Sequence, residues 1–96
     1  MKAIRWDPKK NELLQATRGI GFELVALKIA NGDVLDVVEH PNKAQYPHQR
    51  MFILEFNGYA HLVPFVETED EMFLKTIIPS RQATKRYLGG AEKWTS

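Results

Sequence analysis

An α+β fold with a mainly antiparallel sheet is the architecture this chain predicts, and three of its features carry the prediction. Two helix-period stretches come first, four strand patterns follow and a last helix closes the chain, so the elements are segregated rather than alternating. Asn57-Gly58 between two apolar stretches is the strongest short-range hairpin signal, because both central positions of that tight turn require positive φ. Ile78-Pro79-Ser80-Arg81 then marks an abrupt change from strand to helix. With 96 residues, 44% hydrophobic and 26% charged, the chain fits one globular domain with a modest core.

Trp6-Asp7-Pro8 opens the first helix: the Asp7 carboxylate accepts from free first-turn donors, and Pro8 in the first position loses no hydrogen bond. The pattern carries this helix to Arg18, with Leu13, Leu14 and Thr17 as its inner stripe and Gly19 as a left-handed stop. Phe22, Leu24, Val25, Leu27 and Ile29 predict a second helix between Gly21 and Asn31, broken by Asn31-Gly32-Asp33. The β-branched run Val34 to Val38 reads as the first strand, closed by His40-Pro41-Asn42 and followed by a loop through Pro47.

Met51 to Phe56 and Tyr59 to Val63 form the hairpin around Asn57-Gly58. Pro64 cannot donate to a ladder, so the strand is expected to be irregular or at an edge there. The acidic stretch Glu67 to Glu71 turns into a last strand, Met72 to Ile78, and Pro79-Ser80 starts a C-terminal helix that Gly89-Gly90 ends. A two-residue turn pairs Phe56 with Tyr59, Leu54 with His61 and Phe52 with Val63, and a symmetric turn near Glu69 sets Val63 opposite Lys75. In that register Phe52, Leu54, Phe56, Tyr59, His61, Val63, Phe73, Lys75 and Ile77 share an aromatic face, with His61 and Lys75 diagonal neighbours. Helices are expected on the opposite face, against Met51, Ile53, Ala60, Leu62, Leu74 and Ile78, with the aromatic face half-covered by the last helix or used by a partner.

Charge is distributed unevenly. The formal net charge is only +1, yet from Met72 onward Lys75, Arg81, Lys85, Arg86 and Lys93 face the single Glu92, a local +4. Local basic charge suggests a surface for phosphate. Zero cysteines exclude disulfides, thiolate metal sites and cysteine nucleophiles, which fits a reducing compartment. No apolar run approaches the roughly 20 residues that cross a bilayer, and the N-terminal residues lack a signal-peptide apolar region, so a cytoplasmic protein without a membrane partner is expected.

Trp6-Asp7-Pro8-Lys9-Lys10, then Arg18-Gly19-Ile20-Gly21-Phe22-Glu23, then Ile78-Pro79-Ser80-Arg81-Gln82-Ala83-Thr84 form an ordered set that resembles the BrnT family of bacterial toxins. Thr17-Arg18-Gly19 stands where that family usually carries Lys-His-Gly, and the C-terminal helix is less basic than is typical of it. The resemblance spans nearly the whole chain. It implies a RelE-like α+β fold and the activity of a ribonuclease toxin of a type II toxin–antitoxin system, inhibiting translation and growth. It also implies a cognate antitoxin as partner, RNA as substrate, free or on the ribosome, no cofactor or metal, and assembly as a homodimer or a toxin–antitoxin heterotetramer.

Such cleavage proceeds by attack of a ribose 2′-OH on the adjacent phosphate. It needs a group to take the hydroxyl proton, cations for the developing charge and an acid for the leaving oxygen. Arg81 matches the family's Ser-Arg-x-Ala position and is the candidate phosphate clamp. Lys75 and His61 complete the candidate catalytic set on chemistry alone, His61 as base or acid, and Lys85, Arg86 and Tyr87 are candidate RNA contacts. Each has a plainer reading: Arg81 solvated or paired with a carboxylate, Lys85 and Arg86 a solvated face or an antitoxin contact, Tyr87 core or interface, His61 a satisfied interior histidine. His40, His48 and His61 lack metal-ligand spacing. Trp94, near the end of the chain, reads as a residue that docks on its own domain or on a partner. A catalytically weak protein-binding module of the same fold is the alternative function; the near-neutral net charge disfavours a free nucleic-acid binder.

Overall fold

Asp7 and Pro8 start a helix as the sequence predicts. In the computed structural model, which describes residues 2–89, helix α1 (Pro8–Arg18) has the Lys9 N–H donating to Asp7 at 3.0 Å and ends at Gly19, whose φ is 71°. Gly90, Glu92, Lys93 and Trp94 lie outside the described residues. The inner face of α1 differs from the expected stripe: Asn11 and Leu14 are buried, Leu13 is 54% exposed, and the exposed Thr17 donates its hydroxyl back to the Leu13 carbonyl. Buried Asn11 sets the phase. Its Oδ1 accepts the Phe22 N–H at 2.7 Å and its Nδ2 donates to Glu23 at 2.8 Å. Asn11 thereby caps helix α2 (Phe22–Ala30), whose own N-cap position, Gly21, has no side chain to do so. A Cβ on Gly21 would stand 2.5 Å from Gln15 Nε2 and 2.9 Å from Asn11 Oδ1, which explains glycine there.

The sheet holds β1 (Ala3–Trp6), β2 (Asp36–Glu39), β3 (Gln49–Phe56), β4 (Tyr59–Glu67), β5 (Glu71–Leu74) and β6 (Ile78–Pro79). Their spatial order is β1-β5-β4-β3-β2, with β6 also beside β4. The α+β class is therefore observed, but the sheet is mixed and larger than the four strands expected. β1 was absent from the expectation; it pairs in parallel with β5, with half-buried Ile4 and Trp6 alternating with exposed Ala3 and Arg5. β2 lies later than the expected Val34–Val38. A short helix, α3 (Arg81–Ala83), continues as a π-helical turn over Thr84–Leu88 and ends at Gly89, whose φ is 55°.

The hairpin register is as expected, Phe56 opposite Tyr59 and Leu54 opposite His61, with Asn57 and Gly58 at φ 56° and 78°. Pro64 corrects the rest. It lies buried in the central strand β4 rather than at an edge, and the irregularity it causes falls on its neighbour. In this hairpin the backbone groups of Ala60, Leu62 and Pro64 point toward β5 and β6: Ala60 and Pro64 accept from Ser80 and Lys75 through their carbonyls at 2.9 and 2.8 Å. Pro64 has no N–H to offer on that side. The predicted strand Met72–Ile78 accordingly breaks into β5 and β6. Phe65 pairs with Leu74 and Leu62 with Ile78, so Lys75, Thr76 and Ile77 bulge opposite Val63 and Pro64. The bulge lets Leu74 and Ile77, both essentially unexposed, enter the same core.

Helices cover both faces of the sheet, which corrects the expected layering. The aromatic face is the main core: Leu54, Val63, Phe65, Leu74 and Ile77 pack with Leu14, Phe22 and Val25 of α1 and α2. Phe52 and Phe65 stack with centroids 4.3 Å apart, and Trp6 and Phe22 with centroids 5.9 Å apart. Full burial of a side chain such as Phe22 is worth about 1.5–3 kcal/mol. On the other face Ile53 and Ala60 pack with Ala83 of the C-terminal helix, joined by Leu62, Val38, Tyr87 and Leu88. The unbroken apolar run Met51-Phe52-Ile53-Leu54 is what a strand buried on both faces requires. Among the described residues no helix is long and apolar enough to cross a membrane.

Candidate functional site

The hairpin positions His61 on the main-core face of β4, next to the Asn57-Gly58 turn, where it is 7% exposed. Its ring meets Phe56 and Tyr59 edge-on, with centroids 5.4 and 5.9 Å away. Nδ1 lies 2.9 Å from the Tyr59 carbonyl oxygen, which can only accept, so Nδ1 carries the proton. Nε2 is then the basic nitrogen, and among the described residues it has no hydrogen-bond partner. Burial disfavours the imidazolium and pulls the pKa below its ordinary value; the Arg18 charge pulls it further, against the Tyr59 carbonyl and Glu55, which favour the charged form. His61 is therefore neutral at pH 7.

β6 brings the other half of this end of the sheet. Pro79, the last residue of β6, pairs with His61, and Ser80 and Arg81 follow it as the cap and first residue of α3. Ser80 caps the C-terminal helix by accepting the Ala83 N–H at 3.0 Å. Thr84 locks it to the sheet: its hydroxyl donates to the Ser80 carbonyl at 2.7 Å and accepts the buried Ala60 N–H at 2.8 Å. Arg81 is exposed and, among the described residues, forms no ion pair.

Lys75 does not join them. The bulge at Pro64 shifts the register that set Val63 against Lys75; the Lys75 N–H instead donates to Pro64, and its Nζ lies 5.4 Å from the centroid of Phe73. Leu74 faces the main core and Phe73 the opposite face, the reverse of the expected placement because the bulge shifts the register; Lys75 lies by Phe73 on that opposite face, and the predicted diagonal pair with His61 does not exist.

Lys85, Arg86 and Tyr87 also stand away from His61. They line an open groove of about 620 Å³ on the second face, between the C-terminal helix and β2, β3 and β4. The Tyr87 hydroxyl donates to Asp36 at 2.7 Å, and Arg86 lies over the Tyr87 ring at 5.7 Å. That hydrogen bond is the main cause that holds the Asp36 carboxyl below its usual range and pushes the Tyr87 phenol above its own. At the far end of the sheet Lys2 and Arg50 both bind Glu67, and Lys43 binds Glu39, so each of these cations is paired with a carboxylate.

The structure thus divides the predicted set. Pro79 pairs with His61, and Arg81 starts the helix two residues further on; that helix packs on the second face, which Lys85, Arg86 and Tyr87 line, and Lys75 stands alone. Arg18, the cation whose charge reaches His61, was not among the predicted site residues, and nothing in its sequence position singled it out. Among the described residues no group of three or more His, Asp or Glu side chains is arranged to hold a metal ion. Comparison of the chain with family models, with curated proteins and with solved structures gives no match in any of the three.

Proposed function

We propose that this protein is a ribonuclease toxin of a type II toxin–antitoxin system, cleaving RNA by acid–base chemistry at the hairpin end of its sheet and neutralised by a cognate antitoxin. The observation that carries this reading is the state of His61: Nδ1–H is engaged by a carbonyl, burial disfavours the charged ring, and Nε2 is an acceptor with no described partner. An imidazole in that state is a base at neutral pH.

In the step, Nε2 takes the ribose 2′-OH proton as the 2′ oxygen bonds to phosphorus. The bond from phosphorus to the 5′ oxygen of the next nucleotide breaks, leaving a 2′,3′-cyclic phosphate, and the imidazolium returns the proton to that 5′ oxygen directly or through water. Arg18 and Arg81 answer the charge on the phosphoryl oxygens: the Arg18 charge already acts on His61, and Arg81 lies two residues beyond Pro79, the partner of His61.

The alternative, a catalytically weak binding module of the same fold, is favoured by one observation: Lys75, Lys85 and Arg86 belong to the sheet face opposite His61. Tightly induced expression in a bacterial host separates the two. Growth arrest with new RNA ends, lost in folded His61→Gln and Arg81→Ala variants, is the expected result; normal growth with soluble, folded wild type supports the binding module.

A further inference from the structure

The groove on the second sheet face has no part in the chemistry proposed for His61. Its floor is aliphatic: Val38, Met51, Ile53 and Leu62 from three strands, with Ala83 from the helix. Its helix wall carries Lys85 and Arg86, both exposed and neither in an ion pair among the described residues. The opposite rim carries Glu39, whose carboxylate is held by Lys43 at 2.7 Å. The groove is thus apolar at the base, cationic along one wall and locally neutralised along the other.

We propose that this groove docks a short acidic peptide segment of a partner protein, with aliphatic side chains on the floor and carboxylates against Lys85 and Arg86. Charge complementarity selects an acidic ligand. Two features select peptide over RNA. Bases stack on open aromatic faces, and among the described residues the one aromatic ring lining the groove, Tyr87, is overlain by Arg86 and tied to Asp36. The floor offers aliphatic surface instead, which fits leucine-like anchors. The groove is also open to solvent rather than enclosed. Docking there leaves the His61 end of the sheet uncovered, so this inference stands whether or not the protein cleaves RNA.

The test is an amide chemical-shift titration of the ¹⁵N-labelled protein with the peptide acetyl-Glu-Leu-Glu-Glu-Leu-Glu-amide. A lysine-for-glutamate version of the peptide and a single-stranded RNA oligonucleotide serve as comparison probes. The expected result is saturable shifts at Val38, Met51, Leu62 and Ala83 with the acidic peptide alone. The affinity falls at least tenfold in the double variant Lys85→Glu, Arg86→Glu, whose fold is checked by its unperturbed core resonances. Absence of groove shifts at about 1 mM peptide, an affinity of only some −4 kcal/mol, overturns the proposal. Equal binding of the lysine peptide, preferential binding of RNA at these residues, or concentration-dependent shifts without any probe, the sign of a second copy in the groove, overturn it as well.

Discussion

Tyr87 donates its hydroxyl to Asp36 at 2.7 Å, joining the last turn of the C-terminal helix to the edge strand β2 across the groove. Asp36 also accepts the Val37 N–H at 2.8 Å, so one carboxylate both anchors the helix and occupies a backbone donor of the edge strand. The phenol is held above its ordinary 10.0 and the carboxyl below its ordinary 3.8, so the clasp persists throughout the interval between those values. Tyr87→Phe is expected to speed hydrogen exchange over Thr84–Leu88 while exchange in β3 and β4 stays slow, as read by mass spectrometry. Equal protection in both proteins would mean that the clasp does not hold the helix.

Thr84 is the second attachment of that helix and is buried. Thr84→Val keeps its shape but removes the acceptor of the Ala60 N–H, which lies in a wholly buried residue. A buried donor left without a partner costs about 1–3 kcal/mol. Urea unfolding should register that loss, and a Thr84→Ser variant should recover most of it.

Asn11 predicts a comparable fault on the other sheet face. In Asn11→Ala the Phe22 N–H loses its acceptor and Glu23 loses the donor that most lowers its pKa. The expected loss is about 1–3 kcal/mol by denaturant unfolding. Asn11→Asp restores an acceptor for Phe22 but sets a second carboxylate against Glu23, so its stability should lie between those of wild type and Asn11→Ala at neutral pH. Gly21→Ala tests the same junction sterically: Gln15 and Glu23 can swing aside, but the buried Asn11 Oδ1 would stand 2.9 Å from the new Cβ, so the variant should be destabilised by displacing that cap.

His61 links stability to pH. Its folded pKa lies below the ordinary 6.5 because burial disfavours the charged ring. The unfolded chain therefore binds the proton first as pH falls. The stability associated with neutral His61 is fully present above 6.5 and is lost as pH falls through the depressed folded value. Denaturation midpoints measured from neutral to mildly acidic pH should drop for wild type and drop less for His61→Gln; parallel curves would show that His61 does not contribute.

The hairpin was legible in sequence because Asn57-Gly58 specifies both its turn and its register locally. The capped start of α1 and the Gly19 stop were legible for the same reason. What failed depended on distant residues. β1 has only Ile4 and Trp6 as signal and acquires meaning from parallel pairing with a strand far along the chain. The phase of α1 is set by Asn11, a polar residue that becomes an inner position only when Phe22 and Glu23 arrive to bond it. The Lys75 placement failed at Pro64: its missing N–H was correctly read as a disturbance, but the disturbance falls on the neighbouring strand, where the bulge separates Lys75 from His61. The Lys85, Arg86 and Tyr87 cluster was visible as charge, whereas the sheet face it occupies was not.

RNA cleavage by the purified protein, in a ribosome-containing extract and followed across pH, tests the central claim most directly. His61→Gln should reduce the rate by about 10²- to 10⁴-fold, the usual contribution of a positioned base, with thermal unfolding showing the variant folded. The wild-type rate should fall on the acid side as His61 protonates below its ordinary 6.5. A folded His61→Gln protein that cleaves at the wild-type rate with the same pH profile would contradict the account.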